Sequence, residues 1–264
     1  MSIYPTIMYG SYDFLSEVAK GSVPGHSIVQ KFGAGVLGTS LSTVTHSGYY
    51  RTPTEATELE FVSSNPLDTS NDSGAREITI VGLDANWEEV TQTLETNGLT
   101  AVTLDTPLVR LYRWYVSSSG TYAGAASGSH VGTLYIRETD AVTEWSRIPN
   151  EPICGGQSQI GLYTVPKGYV GYLLSKHIYA DTSKTASFYF CRRDHADDVT
   201  APYSGIARIV EQELGVSGAI DIRKQSPNGP FVGPCDIGFR ALATQAGTDV
   251  AVEFELLLIE EAYA

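Results

Sequence analysis

Short segments of alternating apolar and polar residues, each ended by a turn signal, recur along this chain and leave room for little except stacked β-sheets. Glu58-Leu-Glu-Phe-Val-Ser63 places Leu59 and Phe61 on one face and runs into Asn65-Pro66. Arg76 to Gly82 and Glu89 to Thr96 repeat the pattern around a hairpin turn at Leu83–Trp87, and Asn97-Gly98 closes the second run with a tight-turn dipeptide. Ala101–Leu104, Leu108–Val116 and Val131–Arg137 continue the series. A Ser/Gly/Ala-rich loop spans Ser117–His130. After a break near Arg147–Pro152, further strands are predicted at Ser158–Val165, Tyr169–Asp181, Thr185–Arg192, Tyr203–Glu213, Ala219–Lys224, Asp236–Thr244 and Asp249–Ile259. Pro166-Lys-Gly168, Ser226–Pro230 and Gln245–Thr248 read as the turns between them. The closing run Val250–Ile259 is long enough for a helix, but its Val and Ile content and alternating start favour a strand.

The expected fold is therefore all-β: two β-sandwich, jelly-roll-like domains, preceded by an extended N-terminal arm. The arm covers residues 1–50, the first sandwich 51–147 and the second 148–264; one larger sandwich is the alternative. Gly21, Gly25, Gly33, Gly35, Gly38 and Gly48 stud the arm, which carries one short predicted helix around Ser11–Lys20.

Composition narrows the function. Only 18% of residues are charged, and the formal net charge is −13. Such a field repels a polyanion, so nucleic acid is not an expected partner. No apolar run reaches the roughly 20 residues that span a bilayer, so no membrane partner is expected. No secretory signal is visible at MSIYPTIMYGSYDF. Cys154, Cys191 and Cys235 form no CxxC pair, which removes a zinc ribbon or dithiol site and fits folding in a reducing cytoplasm.

Several constellations invite a chemical reading and carry a plainer one. Gly33-Ala-Gly35-Val-Leu-Gly38 is formally GxGxxG, but no helix-forming run follows it, so a bending arm is the expectation. Asp68, Asn71 and Asp72 bring oxygen ligands into one loop without the terminal Glu of a calcium loop; a polar turn is expected. Arg192-Arg-Asp-His-Ala-Asp-Asp198 could cluster a metal or supply acid–base groups, and a solvated loop is the plainer reading. His26, His46, His130, His177 and His195 are scattered, and no GxSxG elbow exists. Glu88-Glu89 and Glu260-Glu261 are adjacent, and neighbours on a strand point to opposite faces. No catalytic, cofactor-binding or metal-ligating residue is assigned, and no cofactor is expected. Tyr49-Tyr50, Tyr112–Tyr115 and Phe188-Tyr-Phe190 suit cores, protein interfaces or sugar platforms.

A family resemblance adds to this. Lys31-Phe-Gly33, Gly48–Pro53, Phe61–Asp68, Ser73–Arg76, Ile80–Trp87, Leu94–Gly98, Leu111–Val116 and Tyr163–Gly168 follow one another in a succession that resembles a group of tailed-phage and prophage virion proteins. The likeness covers most of the chain from Lys31, and its motifs are turns and strands. It implies a non-enzymatic structural component of the virion, assembled in the host cytoplasm: a capsid decoration (cement) or minor capsid protein. A head–tail connector, a tail component or a carbohydrate-binding host-attachment module are alternatives. The implied partners are other virion proteins, capsid or tail subunits, and further copies of the chain in a homo-oligomer, with a trimer the expected state.

Overall fold

The computed structural model describes residues 11–47, 49–120, 128–151 and 155–264. Among them a single α-helix, α1 (Ser11–Ala19), precedes an all-antiparallel set of strands. α1 matches the predicted helix and buries Val18.

Nine strands make the larger body. One sheet runs β1 (His26–Leu37), β16 (Thr248–Glu260), β11 (Tyr169–Ala180), β14 (Gly218–Val232). Against it lies the order β10 (Leu162–Val165), β15 (Cys235–Ala243), β12 (Ala186–Arg193), β13 (Ala207–Val216), with the two-residue β2 (Ser42–Thr43) also on β15. Period-2 alternation sends one side of each strand inward. Val250, Val252, Phe254, Leu256 and Leu258 of β16 meet Phe188 and Phe190 of β12 and Ile237, Phe239 and Ala241 of β15. Phe190 sits at the centre, its ring 5.2 Å from Phe239, 5.5 Å from Phe254 and 6.2 Å from Phe231. Edge-on ring pairs of this kind add about 0.5–1.5 kcal/mol each beyond simple burial.

The smaller body is a second pair of sheets. One holds β6 (Val102–Thr103), β3 (Leu59–Ser63), β8 (Leu134–Glu138) and β9 (Glu144–Ile148); the other holds β5 (Glu89–Glu95), β4 (Ala75–Leu83) and β7 (Arg110–Ser119). Leu59, Phe61, Ile78, Ile80, Trp114, Ile136 and Trp145 fill the space between them. Sequence patterning missed β9, whose five residues lie next to a Pro-containing break.

Two expectations need correction. Residues 26–37 are not part of a free arm: β1 pairs with β16 without a break from His26↔Ile259 to Leu37↔Thr248. Its burial pattern is weak because the segment sits at a sheet edge and uses glycine where other strands use bulk. A Cβ on Gly33 would lie 2.1 Å from the Gly161 nitrogen, and one on Gly35 would lie 2.7 Å from the Thr45 carbonyl oxygen. These glycines let backbones pass close; no turn toward a helix follows them. The chain then leaves the larger body after β2 and re-enters it at β10, so the smaller body is inserted between its first strands and the rest. Residues 1–10 lie outside the described residues.

The turn expected at Ser226–Pro230 is the second correction. It lies inside β14, where pairing with β11 jumps from Leu173↔Asn228 to Ser175↔Arg223. The Pro and Gly residues there make a bulge in an edge strand, the place in a sheet that tolerates them.

Gly33→Ala is expected to cost about 1–3 kcal/mol, because backbone atoms on two sides must move. Gly38→Ala, with open space around the added carbon, is expected to stay within about 0.5 kcal/mol of the parent. Urea denaturation of both variants checks this, and equal stabilities would contradict the tight packing of β1.

Candidate functional site

The two bodies are joined through a polar core. Arg110, the first residue of β7, is fully buried. Its Nε donates to Asp236 Oδ1 at 2.8 Å and its Nη2 to Asp236 Oδ2 at 3.0 Å, while Nη1 donates to the carbonyls of Val109 and Pro53. The guanidinium plane lies 4.7 Å from the Trp87 ring centre. Asp236 on β15 also accepts from Thr164 Oγ1 at 2.6 Å, and Tyr50 pairs with Thr164 at 2.7 Å. A buried guanidinium needs acceptors for its N–H groups, and here the carboxylate fork takes two of them and the two backbone carbonyls take two more.

Beside it lies a second buried cation. Lys31 of β1 reaches across to donate its amine to the Tyr112 carbonyl, and sits 5.5 Å from that ring's centre. Tyr112 stacks edge-on against Tyr163 at 4.8 Å and donates its hydroxyl to Glu89. Burial pushes the Lys31 amine down to about 7, helped by Arg113 and opposed by Glu89.

Next to this junction the outer face of the β15–β12–β13 sheet remains open as a groove of about 790 Å³. Arg192, Arg193 and Arg240 line it together with Cys191, Tyr49 and the hydroxyl residues Ser42 and Thr43. Arg192 is held by Asp194, with Nε–Oδ1 at 2.9 Å, and Arg193 donates to the Gly205 carbonyl. On the opposite side of β13, Glu211 and Glu213 turn inward onto the buried Lys176 at 2.6 and 2.9 Å. Burial alone would raise the Glu211 carboxyl, but hydrogen bonds from Lys176, Lys224 and Asn228 outweigh it and hold the group at about 2.

The sequence candidates fall elsewhere. Asp68 is buried and saturated: it accepts from Ser63 Oγ and from the backbone amides of Ala75, Val131 and Gly132 at 2.6–2.9 Å. Asn71 and Asp72 are exposed and do not join it. In the loop after β12, Asp198 accepts from the backbone and hydroxyl of Ser204, and His195 takes a positive φ of 51°. Among the described residues no three His, Cys, Asp or Glu side chains come together as a metal site. His26 is tied to the Pro24 carbonyl, His130 sits between Ser129 and Pro149, and His46 borders the groove. Glu89 is engaged by Tyr112 while the adjacent Glu88 is exposed. Cys235 is buried, Cys191 is half-buried in the groove, and Cys154 lies outside the described residues. Among the described residues no helix is long and apolar enough to cross a membrane.

Sequence reasoning missed the junction. Arg110 and Asp236 are 126 positions apart, and Lys31 falls in the segment expected to be an extended arm. The one available signal was an ionisable residue at an inward position of a strand, as at Arg110.

Comparison with known proteins gives little. No protein-family model matches the chain, and no curated protein is similar to it. Among solved structures, that of infectious bursal disease virus, Gt strain, aligns at 10% identity over 94% of this chain and 78% of that one, with a TM-score of 0.23. The VP2 subviral particle of the same virus aligns at 11% identity over 95% and 78%, with a TM-score of 0.22. Likeness at that level carries no argument about this chain.

Two outcomes follow from the junction. Arg110→Met leaves a buried carboxylate without its cation and is expected to cost about 3–5 kcal/mol, part of which Arg110→Met with Asp236→Asn restores. Denaturation of the single and double variants reads this directly, and an unchanged single variant would remove the pair from its central place. The unfolded Lys31 amine titrates near 10.5 and the folded one near 7. Between those values unfolding takes up a proton, so burial of Lys31 costs nothing above about 10.5, costs more as pH drops, and reaches its full penalty below about 7. Lys31→Met is therefore expected to gain more stability, relative to the parent, at about pH 6 than at about pH 10. Melting temperatures at the two pH values test the sign.

Proposed function

We propose that this chain is a non-enzymatic structural component of a tailed-phage virion, and specifically a capsid decoration or minor capsid protein that works by contact with other subunits. The observation that carries the reading is the strand order of the larger body. Leave out β2 and number its eight remaining strands along the chain. One sheet then runs first, eighth, third, sixth, and the other runs second, seventh, fourth, fifth. That is the order of a jelly roll, an architecture widely used in viral capsids and also in lectins and cupins. Fold alone does not assign function. The resemblance of the turn-and-strand succession from Lys31 onward to phage virion proteins supports the capsid choice.

The insertion adds a physical reason. A sandwich inserted after the first strands of a jelly roll is tied back to it by a buried ion pair. Such a unit suits a protein that must hold a fixed geometry against neighbours. The work it does is binding, and the surfaces available for it are sheet edges and outer faces.

Mass spectrometry of purified particles is expected to find the chain at a copy number matching the capsid lattice, with cryo-electron microscopy placing a two-body density on the shell. A few copies at the neck or tail would reassign it to a connector or tail component. Absence from the particles would end the virion reading.

A further inference from the structure

We propose that the open outer face of the β15–β12–β13 sheet receives a second copy of this chain, docking through the Glu77–Glu95 corner of its smaller body. The contact is head to tail. It rests on reading the chain as an assembly protein and names the partner and surface that reading leaves unspecified.

The receiving face has two parts. Phe188, Phe190, Phe239 and Ala241 point into the core, so Tyr189, Cys191, Arg193 and Arg240 point out. Among the described residues Arg240 has no ion-pair partner. The nearest carboxylate to Arg193, Asp236 at 3.9 Å, is already engaged by Arg110. Arg192 and Arg208, directly opposite each other across β12 and β13, alternate away from that set onto the face of Phe190, where Asp194 and the Phe231 ring hold Arg192. Beside these cations run exposed apolar side chains: Ile206 is 59% exposed, Ile209 57% and Leu214 62%. β13 is the last strand of its sheet, so among the described residues no strand pairs with its outer edge.

The smaller body carries the complement. Glu77 and Glu95 are register partners on β4 and β5, again like charges directly opposite. Neither has an ion-pair partner among the described residues. Leu99, in the loop that follows β5, is 61% exposed, and Leu67 lies on the adjoining loop, held by the Gly98–Asp68 backbone bond. One patch is therefore basic with an apolar border, and the other is acidic with an apolar border. On a chain of net charge −13, a concentration of arginine is the place where another acidic copy can approach without repulsion. The apolar borders on both patches favour a protein surface over an acidic sugar, which would leave Ile209 and Leu214 uncovered. Because the two patches differ, the contact is heterologous, and repeating it gives a closed ring or an open row.

Sedimentation velocity on the purified chain tests this, at low and high salt. The parent is expected to self-associate, less so as salt rises. The charge-reversed Arg193→Glu/Arg240→Glu protein and the Glu77→Lys/Glu95→Lys protein are each expected to associate at least about 10-fold more weakly. Mixing the two reversed proteins is expected to restore association, since each then offers the other an opposite charge; circular dichroism confirms that both remain folded. A parent that stays monomeric up to its solubility limit, reversed variants that associate like the parent, or a mixture that fails to recover would each overturn the contact. Binding of alginate, an acidic polysaccharide, by a monomeric parent and its loss in Arg193→Glu/Arg240→Glu would reassign the face to a glycan. Particle mass spectrometry is a separate result, so failure of this contact and failure of the virion reading are told apart.

Discussion

The buried Arg110–Asp236 pair is the constraint around which the two bodies are organised. It couples the first residue of a strand in the smaller sandwich to the second residue of a strand in the larger one. A charge taken out of water is tolerated only with opposite charge and full hydrogen bonding, so neither partner can leave while the other stays buried. The geometry is bidentate and braced by Thr164, Trp87 and two backbone carbonyls. A hydrophobic contact of equal area would allow the bodies to slide. A fork against a carboxylate sets one angle.

That lock depends in turn on strand closure. β1 and β16 come from opposite ends of the described chain and pair along the whole of β1. Their union holds Lys31 where it reaches Tyr112 of the inserted sandwich. At the other edge, Lys176 draws Glu211 and Glu213 inward and so leaves the apolar and basic side chains of the same region facing out. The interior ion pairs thus decide what the exterior offers.

How far the sequence could be read differs from one residue class to another. β5 was legible because Gln92 and Leu94 turn inward between exposed threonines and glutamates, and Gly98 at a φ of +57° ends the run as a tight turn requires. β16 was legible as a strand because its Val and Phe alternate, even though its length would suit a helix. β1 was misread because Gly33 and Gly35 register as flexibility in a sequence and as close packing in a structure. Asp68 was readable as a turn residue, whereas the four donors that surround it come from as far away as Val131 and Gly132.

The sequence by itself determined the fold class, most of the strands and the scarcity of chemistry-bearing motifs. Alternation and turn residues act over a few positions, and local sterics alone carry that information. Only the tertiary structure decided that the N-terminal strand belongs with the C-terminal one, that a whole sandwich is inserted after β2, and which charges are buried or left facing out. Those outcomes turn on pairings between residues far apart in the chain, from 37 positions for Lys176 and Glu213 to 126 for Arg110 and Asp236, where register and desolvation are set by the assembled sheets.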